Sequence, residues 1–198
     1  MRAVFLDRDG VICKNRSDYV KNWQEFEFLP GVFDSLAALS ELDLPIIIVT
    51  NQSAIGRGIV SAQAIEDIHD RMIAEIVGHG GRIDHVLYCP HHPEDNCSCR
   101  KPEPGMLLQA AGEMNLDLLH SYMVGDAATD LTAGQKAGCL TYLVLTGRGK
   151  EQLVSAFQSA KNPFSITRNL PSAINQILKT EWHITSTTKP QKPLVQPG

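Results

Sequence analysis

No apolar stretch in this chain reaches the length needed to cross a membrane, and no segment carries a dense run of lysine or arginine. The first absence argues against a membrane partner. The second, with a net charge of −4 and a pI near 5.9, argues against nucleic acid. The opening apolar run, residues 3–6, is broken by Asp7 before it could serve as a secretory signal. A disulfide framework is also missing: the five cysteines are odd in number, and Cys89, Cys97 and Cys99 cluster. Without a signal, such clustering points to metal binding and to the cytoplasm. There is no internal repeat. Hydrophobic residues at 43% exclude a largely disordered chain, and 198 residues suffice for one domain but not two ordinary ones.

What is present is alternation. Strands are predicted at residues 3–6, 45–49, 85–88, 121–124 and 141–145, with a weaker sixth near 164–166. The first five are continuously apolar, as in strands buried on both faces of a parallel sheet. Helices are predicted over 31–42, where Val32, Leu36 and Leu39 form a stripe, and after the N-cap Ser61, where Ile65, Ile68, Met72 and Ile76 recur until Gly78. Further helices are predicted over 104–114, 129–137, 151–159 and 171–178. The pattern predicts a three-layer α/β fold on a mainly parallel sheet. Residues 185–198, with three prolines and little that could pack, are predicted to be a disordered tail.

Three polar clusters directly follow strands: Asp7-Arg8-Asp9-Gly10, Thr50-Asn51-Gln52-Ser53, and Gly125-Asp126 with Asp130 four residues on. Ligands of open α/β sheets bind beyond the carboxyl ends of the strands, so the clusters predict one shared site. Asp7 and Asp9 repel each other unless a cation neutralises them, and Asp126 completes a hard oxygen set suited to magnesium. A hydroxyl and backbone N–H groups in the second cluster can cradle phosphate oxygens, and Lys101 can add positive charge. Each signal alone has an ordinary reading as a turn, a polar loop or a surface lysine. Their order and placement together point to chemistry.

With Asp7-Arg8-Asp9-Gly10, Thr50, Lys101 and Gly125-Asp126 plus Asp130 in this order, the chain resembles the haloacid dehalogenase (HAD) superfamily of phosphatases over roughly residues 1–180. The resemblance implies a Rossmann-like HAD fold with strand order 5-4-1-2-3 and no large cap domain. It implies Asp7 as the nucleophile that becomes an aspartyl-phosphate, and Asp9 as the acid, then the base. Thr50 and Lys101 would hold the phosphoryl group. Magnesium would be held by Asp7, the Asp9 carbonyl and Asp126, with Asp130 in support.

Cys89, His91, Cys97 and Cys99, in a loop over 89–101, offer three thiolates and one imidazole, a closed tetrahedral set for structural zinc. Spacing leaves His92 equally eligible. Cys13 and Cys139 read as packing residues. This loop, with Arg100-Lys101-Pro102, Asp18-Tyr19-Val20 and Arg57-Gly58, is similar to the D-glycero-D-manno-heptose bisphosphate phosphatases and the related histidinol-phosphatase domains. The narrower resemblance prefers His91 as the zinc ligand. It implies a small phosphorylated sugar as substrate, a role in lipopolysaccharide-precursor synthesis and a monomeric enzyme. Substrate contacts would come from Arg8, Arg16, Ser17, Asp18, Tyr19, Asn51, Gln52, Ser53 and Arg100. Ala127 departs from the pattern, because the heptose enzymes often carry a lysine there. Two alternatives stay open: a phosphatase for histidinol phosphate or another small metabolite, and a zinc-stabilised binding protein without turnover.

Overall fold

The computed structural model describes residues 1–188. Six parallel strands form one sheet: β1 (Val4–Leu6), β2 (Ile46–Asn51), β3 (His85–Cys89), β4 (Tyr122–Gly125), β5 (Leu140–Val144) and β6 (Ser165–Thr167). Their order is β3-β2-β1-β4-β5-β6, the anticipated 5-4-1-2-3 with the sixth strand added outside β5. The helices are α1 (Val32–Ser40), α2 (Ser53–Gly56), α3 (Ala62–Gly78), α4 (Gly105–Met114), α5 (Ala128–Ala137), α6 (Gly149–Ser159) and α7 (Leu170–Thr188). None of them is long and apolar enough to cross a membrane.

The two-residue period of a strand sorts the central side chains into two layers. Val4, Leu6, Ile46, Ile48 and Val124 pack with Leu36 of α1, Met72 of α3 and Ile177 of α7. Phe5, Ile47, Val49 and Met123 face the other way, onto Met106 and Leu107 of α4 and Ala133 of α5. Each such aliphatic side chain, fully buried, contributes roughly 2 kcal/mol. Registers Leu6↔Ile48 and Leu6↔Val124 bring the ends of β1 and β4 nearly level, while β2 runs on past them to Asn51. From β1 the chain goes to β2 on one side and later returns to β4 on the other. The loops therefore diverge above β1, and Asp7 stands at that crevice.

Three elements depart from expectation. β2 continues through Thr50 and Asn51, which pair with Tyr88 and Cys89, so the second polar cluster begins inside the ladder. The single turn of α2 is too short to leave a periodic signature. Helix α7 overruns its predicted end at Leu178 because Glu181, buried, accepts from Tyr122 Oη at 2.6 Å and pairs with Arg2 at 2.8 Å. It takes in residues 185–188 of the anticipated tail; the rest of that segment lies outside the described residues.

Candidate active site

Asp7 leaves the end of β1 with its N–H on the Val124 carbonyl, which fixes where its side chain starts. Lys101 Nζ reaches it from the other side of β2. The ammonium meets Asp7 Oδ1 at 2.7 Å, Asp130 Oδ1 at 2.6 Å and the Val49 carbonyl at 2.8 Å, which uses all three of its donors. Burial disfavours this charge, but Asp130 and Asp7 override burial and hold the lysine above its ordinary pKa. Asn51 clamps the Lys101 backbone, accepting its N–H at 3.1 Å and donating to its carbonyl at 3.0 Å. The second oxygen of Asp130 accepts the Ala127 N–H at the start of α5.

Asp126 is fully buried. Its Oδ2 accepts the Arg148 N–H at 2.8 Å, whereas Oδ1 is buried without a hydrogen-bond partner. A Cβ at Gly10 (φ +88) or at Gly147 (φ +54) would overlap this carboxylate, so both positions require glycine for space as well as for backbone. One carboxylate oxygen each from Asp7, Asp126 and Asp130 lie within 4.8 Å of one another. Burial, then the charges of Asp7 and Asp130, push Asp126 up to about 8. Burial raises Asp7 to about 6 against the pull of Lys101, with Asp130 and Asp9 adding to the rise. Three crowded acids and an orphaned oxygen fit a hard divalent cation. The Asp9 side chain is engaged elsewhere, so of that residue only the backbone carbonyl is available to such an ion.

Asp9 faces a hydrogen-bonding wall. Arg8 Nη2 donates to its two oxygens at 3.1 and 2.9 Å, Gln52 Nε2 donates at 2.9 Å, and the Cys13 thiol approaches to 3.4 Å. Burial opposes ionisation, but the Arg8 charge and these donors win and hold Asp9 below the usual carboxylate range. Gln52 Nε2 also donates to Thr50 Oγ1 at 2.9 Å, which leaves the Thr50 hydroxyl hydrogen for another acceptor.

The cysteine loop closes on itself. Cys89, Cys97 and Cys99 sulfurs are 3.4–3.6 Å apart, and His91 Nδ1 lies 3.5 Å from Cys89 and 3.2 Å from Cys99. A tetrahedral ion with metal–sulfur bonds of about 2.3 Å needs sulfur–sulfur edges of roughly 3.8 Å, close to what is seen. His92 instead caps the turn Pro93–Asp95, accepting the Glu94 N–H at 3.3 Å, so the neighbouring histidine completes the set.

A cavity of about 850 Å³ opens over these groups. Asp7, Asp9, Thr50, Gln52, Ser53 and Lys101 form its floor, and Arg16, Ser17, Tyr19 and Arg100 stand around it. Asp18, expected against a ligand, does not line it; its carboxylate is drawn to Arg16 at 3.1 Å and Lys21 at 2.8 Å. Arg8 borders the cavity, but its guanidinium is 1% exposed and turned to Asp9. Arg57, noted in the sequence only as part of the family resemblance, lines the cavity, and so does Arg148, which was not singled out. The signal for Arg148 was its place just beyond the carboxyl end of β5, where the other clusters also lie.

Comparison with known proteins bears on this geometry. The HAD-hydrolase-like family profile matches residues 98–173. The D-glycero-beta-D-manno-heptose-1,7-bisphosphate 7-phosphatase of Bordetella bronchiseptica is 39% identical over 153 residues, covering 77% of this chain and 86% of the relative. The enzyme of the same name from Photorhabdus laumondii is 37% identical over 184 residues, covering 89% and 97%. In structure the chain is similar to the B. bronchiseptica D,D-heptose 1,7-bisphosphate phosphatase complexed with magnesium and phosphate. The TM-score is 0.85 at 35% identity, covering 91% of this chain and 99% of that one.

Proposed function

The chain belongs to the HAD-like hydrolases, in the family of the heptose-bisphosphate phosphatases, and from that premise we propose that it is a magnesium-dependent phosphoric monoester hydrolase that removes the 7-phosphate of D-glycero-D-manno-heptose 1,7-bisphosphate. The observation that carries the reading is convergence. Asp7, Asp9, Thr50, Lys101 and Asp126 come from four separate stretches of chain to one crevice, and the family resemblance gives each a task there.

Asp7 is the nucleophile. One of its carboxylate oxygens bonds to phosphorus as the ester P–O bond breaks; Asp9, ionised in the ligand-free site, takes up a proton as the phosphate dianion binds beside it and passes that proton to the departing alcohol. Asp9 then takes a proton from water, whose oxygen attacks phosphorus and releases phosphate and free Asp7. Lys101 holds Asp7 in place and lowers the repulsion between a carboxylate and a phosphate dianion. Thr50 offers its free hydroxyl hydrogen to a phosphoryl oxygen. Magnesium, held by Asp7, Asp126 and the Asp9 carbonyl, would offset the remaining like charge. Zinc in the Cys89–His91–Cys97–Cys99 set is structural: the set is closed and leads straight into Arg100 and Lys101.

The substrate reading is supported by the relatives' names and by Arg100, a residue that lines the cavity and whose buried Nη1 has no hydrogen-bond partner. A second phosphate would answer that donor. The test is phosphate release from a panel containing the heptose bisphosphate, the heptose 7-phosphate and histidinol phosphate. The bisphosphate should show the highest kcat/KM, by about tenfold or more over either monophosphate, and Asp7→Asn should release none from any of them. A monophosphate preferred over the bisphosphate overturns the substrate; turnover by the Asn variant overturns the covalent route.

A further inference from the structure

On helix α3, Ile65, Ile68, Met72 and Ile76 are buried as the period demands, but the same face also buries a polar side chain, His69, at 5% exposure. An imidazole among aliphatic groups costs desolvation that a leucine would avoid, unless a partner compensates it. That partner is Arg8, itself 1% exposed: its Nη1 lies 3.1 Å from His69 Nε2. Its Nη2 is on both oxygens of Asp9, and its Nε is buried without a partner. A guanidinium has no acceptor, so in this contact Arg8 donates and His69 accepts, which requires a neutral ring. Burial, and then the Arg8 charge, keep the ring neutral by pushing His69 down to about 3.

We propose that His69 is a positioning residue for the acid–base step: by accepting from Arg8 Nη1 it anchors the guanidinium so that Nη2 stays on both oxygens of Asp9. Without that acceptor Arg8 has two unmet buried donors, and it borders the cavity, where solvent can satisfy them. Its fork would then turn away from Asp9, and the carboxyl would lose the hydrogen bonds that aim it at the leaving oxygen. His69 touches no reacting atom, so its effect passes entirely through Arg8.

The inference rests on Asp9 being the acid and base, and the experiment separates the two claims. Single-turnover release of the alcohol is measured from an alkyl phosphate, whose leaving group needs a proton, and from p-nitrophenyl phosphate, whose leaving group departs as a stable anion. His69→Leu should slow the alkyl substrate about tenfold or more and the nitrophenyl substrate by less than about twofold. His69→Gln, which offers an amide oxygen in place of Nε2, should stay within about threefold of the parent on both. Equal losses on both substrates with His69→Leu, or a Gln variant as slow as Leu, would overturn the assignment by showing that only packing was lost. If the Leu variant does not fold, Arg8→Lys carries the test: it keeps the charge, cannot reach His69 and Asp9 together, and should show the same selective loss. Asp9→Asn runs alongside. Should it slow both substrates alike, the parent reading falls with the inference; should it be selective while His69→Leu matches the parent, the inference falls alone.

Discussion

At the scale of single residues, the polar groups that matter are those whose surroundings decide their charge. Asp9 is kept ionised by Arg8, and Arg8 is kept in place by a histidine that must stay neutral. This has a consequence for stability. His69 titrates near 6.5 when unfolded and at about 3 in the folded chain, so its folded pKa is depressed. Below about pH 6.5 the unfolded chain takes up a proton that the native state refuses. The stability associated with neutral His69 is therefore full above that pH and falls as the pH drops toward 3. Urea unfolding of the parent and of His69→Gln should diverge, the parent losing about 2 kcal/mol more between pH 7 and pH 5. Parallel pH curves would show that His69 is not buried as a neutral ring. The acidic pairs were legible in the sequence because strand ends carry them in a fixed order. His69 was not, since a single polar residue on an apolar stripe leaves a weak mark, and its partner lies 61 residues away.

At the scale of elements, the loop between β3 and α4 joins the cysteine–histidine set to Lys101. Cys89 is the last residue of β3, the Ser98 carbonyl accepts the Gly105 N–H at the start of α4, and Lys101 lies between, clamped by Asn51. Removing zinc leaves three thiols and an imidazole with nothing at their centre, and this short loop has little core of its own. Dialysis against a strong chelator, with excess magnesium then restored to both samples, should lower Tm by roughly 4–8 °C, the equivalent of about 2 kcal/mol for a chain of this size. It should also reduce kcat, because Lys101 loses its anchor. An unchanged melting curve would rule out a structural ion. The strands and longer helices were legible from periodicity, since burial on one or two faces writes itself into the chain. The end of α7 was not, because what extends it is Glu181 meeting Tyr122 and Arg2, contacts made only after the sheet has formed.

At the scale of the whole molecule, the sheet order assembles the site: β1, between β2 and β4, brings Asp7 to Lys101 across 94 residues of chain. Alternation of strands and helices announced that architecture, and the site followed from the rule that ligands bind beyond strand ends. The need for a cation was legible too, in Asp7, Asp9 and Asp126; what no pattern announced is that the side chain of Asp130, not that of Asp9, completes the acidic cluster. Asp7 and Asp130 share Lys101, while Asp126 has only Arg148 at 3.8 Å, so a divalent ion is what would balance the cluster. Asp126 at about 8 and Asp7 at about 6 both lie above their unfolded value of 3.8. Between those limits the native state holds protons that the unfolded chain does not, and its stability falls as the pH rises. Magnesium takes the place of those protons and binds the folded state alone, so it should reverse the fall. At 100-fold excess over Kd it would add about 2.7 kcal/mol, a rise of roughly 5–10 °C in Tm. The increment should be larger at pH 8 than at pH 6, where protons compete for the same oxygens, and Asp126→Asn should abolish it at both. Thermal melts with and without magnesium at the two pH values decide the matter: an increment that is flat with pH, or that survives in the Asn variant, would place the ion somewhere other than among these three acids.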